Sequence, residues 1–180
     1  MLKTYVEQIE KTQHGISIEN GYAVLTMDNN EVSYQHTYNL HTHHMLEISI
    51  IKSGTGTYEI GSRRYDIQPY DVFFIGNTDP HRICLKKEQV VSNMVIHFET
   101  SFLWNFFGQM EDISVLDIFF NRSKNFSHQL DRGNPSTHKI YDMVLGIEAV
   151  FIAQKPYSNL RVKILFVSLN NKYLYLSFSL

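Results

Sequence analysis

The residues of this chain best suited to chemistry are the histidines and the glutamate of the stretch "HTHHMLE". On an extended strand, residues at even separations share a face, so His41, His43 and Glu47 would point the same way. His44 has the opposite parity, as does His36 just upstream, and we interpret both as strand histidines without a role in a site. Imidazole and carboxylate groups bind Zn, Fe, Mn or Ni, and they also hydrogen-bond polar ligands. The spacing is therefore compatible with a metal site, a polar pocket or a solvated strand whose histidines form no site.

The elements that must position this cluster are predicted to be strands. Leu46, Ile48 and Ile50 alternate with the polar positions, which predicts an apolar opposite face that needs a covering helix. The predicted strands are 22–27, 31–38, 46–52, 56–60, 63–67, 71–75, 81–85 and 90–99. Turn signals separate them, among them Asn29-Asn30 and "GNTDP". Short strands at this spacing favour a sandwich or a small antiparallel barrel, with His81 opening a strand near the cluster.

The pattern changes to helical periodicity after about residue 100. The predicted elements are a helix at 101–110, a loop with an edge strand at 119–134, a helix from Asn134-Pro135 to Pro156, and a helix carrying Leu160, Ile164, Val167 and Leu174. Asparagine followed by proline is a typical helix start, and a later proline ends a helix. We therefore expect a β-barrel followed by an antiparallel helical pair.

Composition narrows the function classes. Of 180 residues, 43% are hydrophobic and 19% are charged, as in ordinary globular proteins. The net charge of −2 argues against specific nucleic-acid binding by this chain alone. The single cysteine, Cys84, cannot form an internal disulfide, which fits a cytoplasmic location, and no apolar run is long enough for a membrane span. Phosphate-binding loops and nucleophile-elbow motifs are absent from the sequence.

The stretch H-T-H-H-M-L-E-I-S-I-I-K-S-G resembles the first motif of the cupin superfamily, H-x-H-x3-E-x6-G, with Gly54 at the expected distance. The motif's leading glycine is replaced by Gln35. The second motif, P-x-G-x2-H-x3-N, matches at His81 but departs elsewhere; its other positions hold Gly76, Thr78 and Leu85. The departures from the second motif count against a stand-alone enzyme.

The longer stretch "HTHHMLEISIIKSGTGTYEIGSRRYDIQPYDVFFIGNTDPHRI" resembles the sensor domain of AraC-family (arabinose-regulator-like) transcription regulators. The resemblance covers about residues 20–100, with Tyr70 where the family usually has glycine before Asp71. It implies a mainly β, cupin-like double-stranded β-helix (a jelly-roll barrel) followed by an antiparallel helical pair. It also implies an N-terminal arm at 1–20, an effector-binding barrel at 21–100 and a helical dimerisation segment at 101–180.

The resemblance further implies a small-molecule effector, a sugar or a small acid, bound in the barrel of a homodimer. DNA would be bound only through a helix-turn-helix domain that is absent from these 180 residues. The expected ligand-binding residues are His41, His43, Glu47, His81, Tyr34 and Tyr58; the two tyrosines are included because rings can stack on a sugar, although strand aromatics are more often core.

Two alternatives stay open at this point. A stand-alone, metal-dependent cupin enzyme of the dioxygenase or isomerase type would hold a divalent ion with His41, His43, Glu47 and His81. A metal-free binding barrel would use the same side chains as hydrogen-bonding groups. The sensor hypothesis predicts no catalytic residues and requires no cofactor, with a bound Zn, Fe, Mn or Ni ion as the lesser expectation.

Overall fold

The computed structural model describes residues 16–20, 23–36, 39–101, 117–120, 126–153, 161–162, 164–165 and 168. In this part of the chain, eight strands form two antiparallel sheets. The strands are β1 (Ile16–Asn20), β2 (Ala23–Ser33), β3 (Leu46–Gly54), β4 (Gly56–Ile60), β5 (Arg63–Ile67), β6 (Val72–Ile75), β7 (His81–Cys84) and β8 (Val90–Phe98). The larger sheet has the order β1-β2-β8-β3-β6, and the smaller has the order β5-β4-β7.

An interior core fills the space between the two sheets. It contains Val32, Ile51, Tyr58, Ile60, Ile67, Phe73, Ile75, Ile83, Leu85 and Val91, with Tyr65 packed against it. Members come from both sheets, so the sheets face each other across this core. The β-branched and aromatic residues that favour strands thus also supply the apolar area whose burial stabilises the sandwich.

A second, outer core covers the opposite face of the large sheet. On β3, Leu46, Ile48 and Ile50 belong to this outer core, whereas Ile51 belongs to the interior one. The outer core also contains residues of the long helix described next, including Ile140, Val144 and Ile147. The predicted apolar face of this strand is confirmed, and a helix packs on it as expected.

The described helices are α1 (Asp117–Phe120) and α2 (Pro135–Ala153), with a short 3-10 helix at Tyr34–His36. The predicted start of α2 is confirmed, because the Ser136 backbone N–H donates to the Asn134 side-chain oxygen at 2.9 Å. None of the helices in the described ranges has the length and hydrophobicity that crossing a membrane requires.

The segment before α2 lies along β6. Phe73 and Gln129 form an isolated antiparallel bridge, the Phe74 N–H donates to the His128 carbonyl at 2.9 Å, and the Leu130 N–H donates to the Val72 carbonyl at 3.0 Å. The edge strand expected within 119–134 is therefore present as this short pairing. Residues 119 and 120, predicted in the loop, instead belong to α1.

The sequence prediction was wrong about β2. Its strand passes through Asn29 and Asn30, which were predicted to form a turn, and it ends at Ser33 rather than continuing to residue 38. The ladder with β8 continues through both asparagines, opposite Met94 and Asn93. The Asn29 amide also donates to Glu148 of α2 at 2.7 Å, so a tertiary contact satisfies a residue that alone favours a turn.

Two further sequence predictions concern the chain ends. The last five residues of the expected N-terminal arm form β1, paired with β2. The helix predicted at 101–110 lies outside the described residues except for Ser101, and the last predicted helix is described only at 161, 162, 164, 165 and 168, where the backbone is helical. The mainly β architecture with a C-terminal helix is confirmed, while the antiparallel helical pair stays a prediction.

Candidate metal and ligand site

The interior between the sheets is apolar at one end and polar at the other. Along β3 and β8, the interior positions change from Ile51 and Val91 to the buried polar residues Glu47, Ser49 and Asn93. The apolar end is filled by the interior core. Groups able to bind a polar ligand or a metal are therefore concentrated at the other end.

Glu47 is the centre of this polar end and is only 2% exposed. Its Oε2 atom lies 3.0 Å from His43 Nε2, 3.2 Å from His81 Nε2 and 3.3 Å from His97 Nε2. Its Oε1 atom accepts a hydrogen bond from the Tyr58 hydroxyl at 2.9 Å. One buried carboxylate thus contacts three imidazoles and one phenol.

His41 and His43 reach the site differently from the strand arrangement expected from sequence. β3 begins only at Leu46, so the alternation argument does not apply to the two histidines. His41 instead forms an isolated antiparallel bridge with His81, with N–H···O distances of 3.2 Å and 2.9 Å in the two directions. The bridge brings the two imidazole centroids to 4.3 Å, a pairing that sequence spacing cannot reveal.

Three of the imidazoles are oriented in the same way, by a backbone carbonyl two residues away. The Nδ1 atoms of His41, His43 and His81 lie 2.8, 2.8 and 2.9 Å from the carbonyl oxygens of Asn39, Met45 and Asp79. A carbonyl oxygen only accepts hydrogen bonds, so each Nδ1 must carry the proton. In a neutral ring, Nε2 then presents a lone pair.

This tautomer creates an electrostatic requirement at Glu47. A lone pair on Nε2 of His43 or His81 would face the carboxylate oxygen at close range, which is repulsive unless a cation stands between them. The cation can be a proton on the imidazole or a metal ion bound by both groups. The arrangement is therefore built around a positive charge.

The pKa shifts show how protons meet this requirement when no metal is bound. Burial opposes ionisation of Glu47, but the charge of His81 and the contacts with His43, His81 and His97 outweigh it and hold its pKa well below the usual range. Burial lowers the pKa of His97, yet contacts with the carboxylates of Asp28 and Glu47 prevail and raise it to about 9. The pKa of His81 is raised because Glu47 outweighs the effect of burial.

The pKa shifts of His41 and Tyr58 favour the neutral forms of these two side chains. Burial and the charge of His81 lower the pKa of His41, which favours its neutral, metal-binding form. Burial and the neighbouring Glu47 charge raise the pKa of Tyr58 well above its ordinary value, so its hydroxyl keeps its proton.

The donor set fits a divalent transition metal. The ligand atoms of His41, His43 and His81 lie within 4.8 Å of one another, and so do those of His43, Glu47 and His97. Metal–donor bonds of about 2.0–2.2 Å put neighbouring donor atoms roughly 2.8–3.1 Å apart in an octahedron and roughly 3.3–3.6 Å apart in a tetrahedron. The distances of 3.0–3.3 Å around Glu47 Oε2 lie within this span. Nδ1 atoms held by carbonyls are also the usual second layer of histidine metal sites.

A sequence model described as the AraC-like ligand binding domain matches residues 31–134, more than half of the chain. The chain belongs to the AraC-like ligand binding domain family. The stretches that resemble the two cupin motifs lie within the matched residues.

Solved structures with a similar backbone include the polyketide cyclase RemF from Streptomyces resistomycificus, at 22% identity and a TM-score of 0.37 over 42% of this chain and 54% of that chain. A cupin protein from Bacteroides fragilis is similar at 18% identity and a TM-score of 0.40, over 62% of this chain and 92% of that chain. A mutant of the Bacillus subtilis oxalate decarboxylase OxdC is similar at 18% identity and a TM-score of 0.38, over 49% of this chain and 28% of that chain. No curated protein matches the sequence.

The structure brings five of the six expected ligand-binding residues of this AraC-like domain together. These are His41, His43, Glu47, His81 and Tyr58. Tyr34 is not with them: it is 56% exposed in the 3-10 helix beyond Ser33, at the far end of β2 from the polar cluster. The side chain of His44 is 68% exposed, with Nε2 3.8 Å from Glu99, which agrees with its interpretation as a histidine outside the site.

Sequence reasoning missed His97 and Asp28 of this domain. His97 is the direct partner of Glu47 across the β3–β8 ladder. Its Nδ1 lies 3.7 Å from the buried Asp28 carboxylate. The available signal was its parity: in "VVSNMVIHFE", His97 lies four residues after the polar Asn93 and therefore on the same face of an otherwise apolar strand.

Proposed function

We propose that this chain is the effector-sensing domain of an AraC-type transcription regulator and that the Glu47-centred cluster is its ligand site. The observation that carries the proposal is a buried carboxylate in contact with three imidazole Nε2 atoms, two of them in rings fixed by backbone carbonyls. A carboxylate buried in this way costs folding free energy unless a proton or a bound cation compensates its charge. In a chain that matches the AraC-like ligand binding domain, this arrangement supports a ligand site at Glu47.

We propose further that a divalent metal ion occupies the site, held by His41, His43, Glu47 and His81. When bound, the ion would supply an attachment point for an oxygen of a sugar or a small acid. The chain's own part is to orient the imidazoles through their Nδ1 contacts and to keep Glu47 ionised. His41 and His43 are partly exposed, so the effector would approach from their side.

The proposed response to the effector passes through β3 to α2. Glu47 and Ile48 are neighbours on β3, one facing the site and the other the outer core with Val144 and Ile147. Lys52 of the same strand donates to both carboxylate oxygens of Glu148 on α2, at 2.7 and 2.9 Å. A shift of β3 on binding would therefore move α2.

The helical segment is the proposed homodimer interface. Reorientation there would control DNA binding by a separate helix-turn-helix domain. The small-molecule effector and the second copy of the chain are thus the proposed direct partners.

A metal-dependent cupin enzyme is the second candidate function. The specific observation in its favour is the same donor set, which suits a catalytic ion as well as a structural or sensing one. The two candidates differ in what happens to the small molecule. A sensor releases it unchanged, whereas an enzyme converts it.

Thermal unfolding with a panel of sugars and small carboxylic acids tests the proposal. A true effector at 100 times its Kd should stabilise the wild-type protein by about 2.7 kcal/mol, a rise in Tm of several degrees. The stabilisation should vanish in Glu47→Gln and persist in His44→Gln, where the histidine is exposed. The compound should be recovered unchanged after incubation.

Three outcomes would count against the sensor. Stabilisation that persists in Glu47→Gln would place the ligand elsewhere. A panel without any stabilising compound would leave the proposed effector class wrong. Conversion of a stabilising compound to product would favour the enzyme.

A further inference from the structure

His97 occupies a place in the site that the sequence motifs do not assign. It lies on β8, the strand between β2 and β3, where it pairs with Thr26 on one side and Glu47 on the other. Its Nε2 atom is 3.3 Å from Glu47 Oε2, nearly the same distance as that of His81. Its strand is paired on both sides, as is the strand that carries Glu47.

The other nitrogen of His97 is unsatisfied. His97 Nδ1 is buried and has no hydrogen-bond partner, whereas the Nδ1 atoms of His41, His43 and His81 each contact a carbonyl oxygen. The nearest carboxylate is that of Asp28, whose Oδ2 lies 3.7 Å away. A closing movement of less than about 1 Å would complete a hydrogen bond of ordinary length.

An Nε2 atom beside Glu47 and an Nδ1 atom near a second carboxylate form an arrangement typical of a metal-binding histidine. Histidine ligands usually donate their second ring N–H to a carboxylate or a carbonyl, which fixes the ring and strengthens the metal bond. Asp28 stands where that acceptor is needed. The Nε2 atom already lies 3.3 Å from Glu47 Oε2, so the closing movement would be one of the Asp28 side chain toward Nδ1.

We propose that His97 is a direct ligand of the metal ion, oriented by Asp28, so that the site is built from four histidines and one glutamate. The inference rests on the proposed metal site and deepens it. These five side chains would hold the ion, and the effector would bind at a position on it that the protein leaves open. Such a site favours Fe, Mn, Co or Ni over Zn, which prefers four ligands in structural sites.

Cobalt titration of the tag-free protein, stripped with a chelator, tests the inference. Binding is followed by the visible absorption of Co²⁺, whose intensity is weak for five or six ligands and strong for four. His97→Ala should weaken Co²⁺ binding about 100-fold or more, as should His43→Ala, and Asp28→Asn should weaken it about 10- to 100-fold. His44→Ala, at an exposed histidine, should bind as the wild type does.

A second measurement uses the unaltered protein, in case His97→Ala does not fold. In the proton NMR spectrum of the cobalt form, each coordinated imidazole contributes one solvent-exchangeable, strongly shifted N–H signal. The inference predicts four such signals, and three would overturn it.

The results distinguish failure of the proposed metal site from failure of the proposed role of His97. If His43→Ala abolishes cobalt binding and His97→Ala leaves it unchanged, the inference fails while the metal site stands. If the wild type binds no cobalt, the proposed metal site and the role of His97 both fail.

Discussion

Replacing Glu47 by glutamine should destabilise the metal-free protein by about 3–5 kcal/mol. The substitution keeps the shape of the side chain and leaves a carbonyl oxygen that can still accept from Tyr58. It removes the negative charge that faces His43, His81 and His97 at 3.0–3.3 Å. Removing one partner of a buried ion pair costs about 3–5 kcal/mol, since the remaining charge stays uncompensated.

The magnitude follows from how deeply the carboxylate is buried. Glu47 is buried, and so are two of its partners, His81 and Tyr58. In a domain of this size, 1 kcal/mol shifts Tm by about 2–4 °C, so a fall of roughly 10 °C is expected. An exposed ion pair would contribute less than about 1 kcal/mol.

Urea unfolding of the chelator-treated protein, followed by circular dichroism, measures the effect. Glu59→Gln is the matched control: the same chemical change at a glutamate whose partners, Arg82 and Arg64, have side chains that are 41% and 76% exposed. The control should change the free energy of unfolding by less than about 1 kcal/mol. Equal effects of the two substitutions would refute the account of Glu47 as the charged centre of the cluster.

Two further predictions concern pH and backbone conformation. Because the pKa of His97 is raised to about 9, its contribution to the stability of the metal-free protein is complete below about pH 6.5 and is lost as the pH rises through 9; the loss is about 3 kcal/mol at most, and His97→Gln should flatten it in urea unfolding at a series of pH values. An alkaline decline that is the same in His97→Gln would contradict the role of His97. The pKa of Glu47 is lowered, so its contribution to stability is present above about pH 4.5 and is lost on acidification. Gly54 has φ +89° and an added Cβ would lie 2.0 Å from the Val90 carbonyl oxygen, whereas Gly61 has φ +59° and open space around it. Thermal unfolding should therefore show Gly54→Ala losing about 3 kcal/mol and Gly61→Ala about 1 kcal/mol, and similar losses would show that the close contact is not decisive.

Local signals in the sequence were sufficient for much of the fold. The strands at 56–60 and 63–67 have the bounds predicted from alternation around the Gly61 turn. The start of α2 followed from Asn134 and Pro135, because capping depends on residues adjacent in the chain. These elements are determined by short-range chemistry, which a single sequence contains.

Errors arose where distant contacts override local preference. Asn29 and Asn30 favour a turn, yet the ladder with β8 and the contact of Asn29 with Glu148 keep them in a strand. Tyr34 was expected at the site because its ring could stack on a sugar, and it was predicted to lie on a strand that continued to residue 38. The end of β2 at Ser33 puts it at the surface instead.

The sequence predicted which residues form the site better than it predicted how those residues are arranged. Motif spacing indicated that His41, His43, Glu47 and His81 would lie together, and the structure places them together. Their arrangement depends on the bridge between residues 41 and 81, and His97 depends on the register of two strands far apart in sequence. Register is a property of the folded sheet, so neither feature could be derived from spacing alone.

Elemental analysis of the protein purified without an affinity tag tests the central claim most directly. The account predicts about one divalent transition-metal ion per chain in the wild type and in His44→Gln, and a sharp loss in His81→Gln, whose Nε2 lies 3.2 Å from Glu47. A wild-type protein without metal, or a metal content that His81→Gln leaves unchanged, would contradict the claim that this cluster is the domain's metal and ligand site.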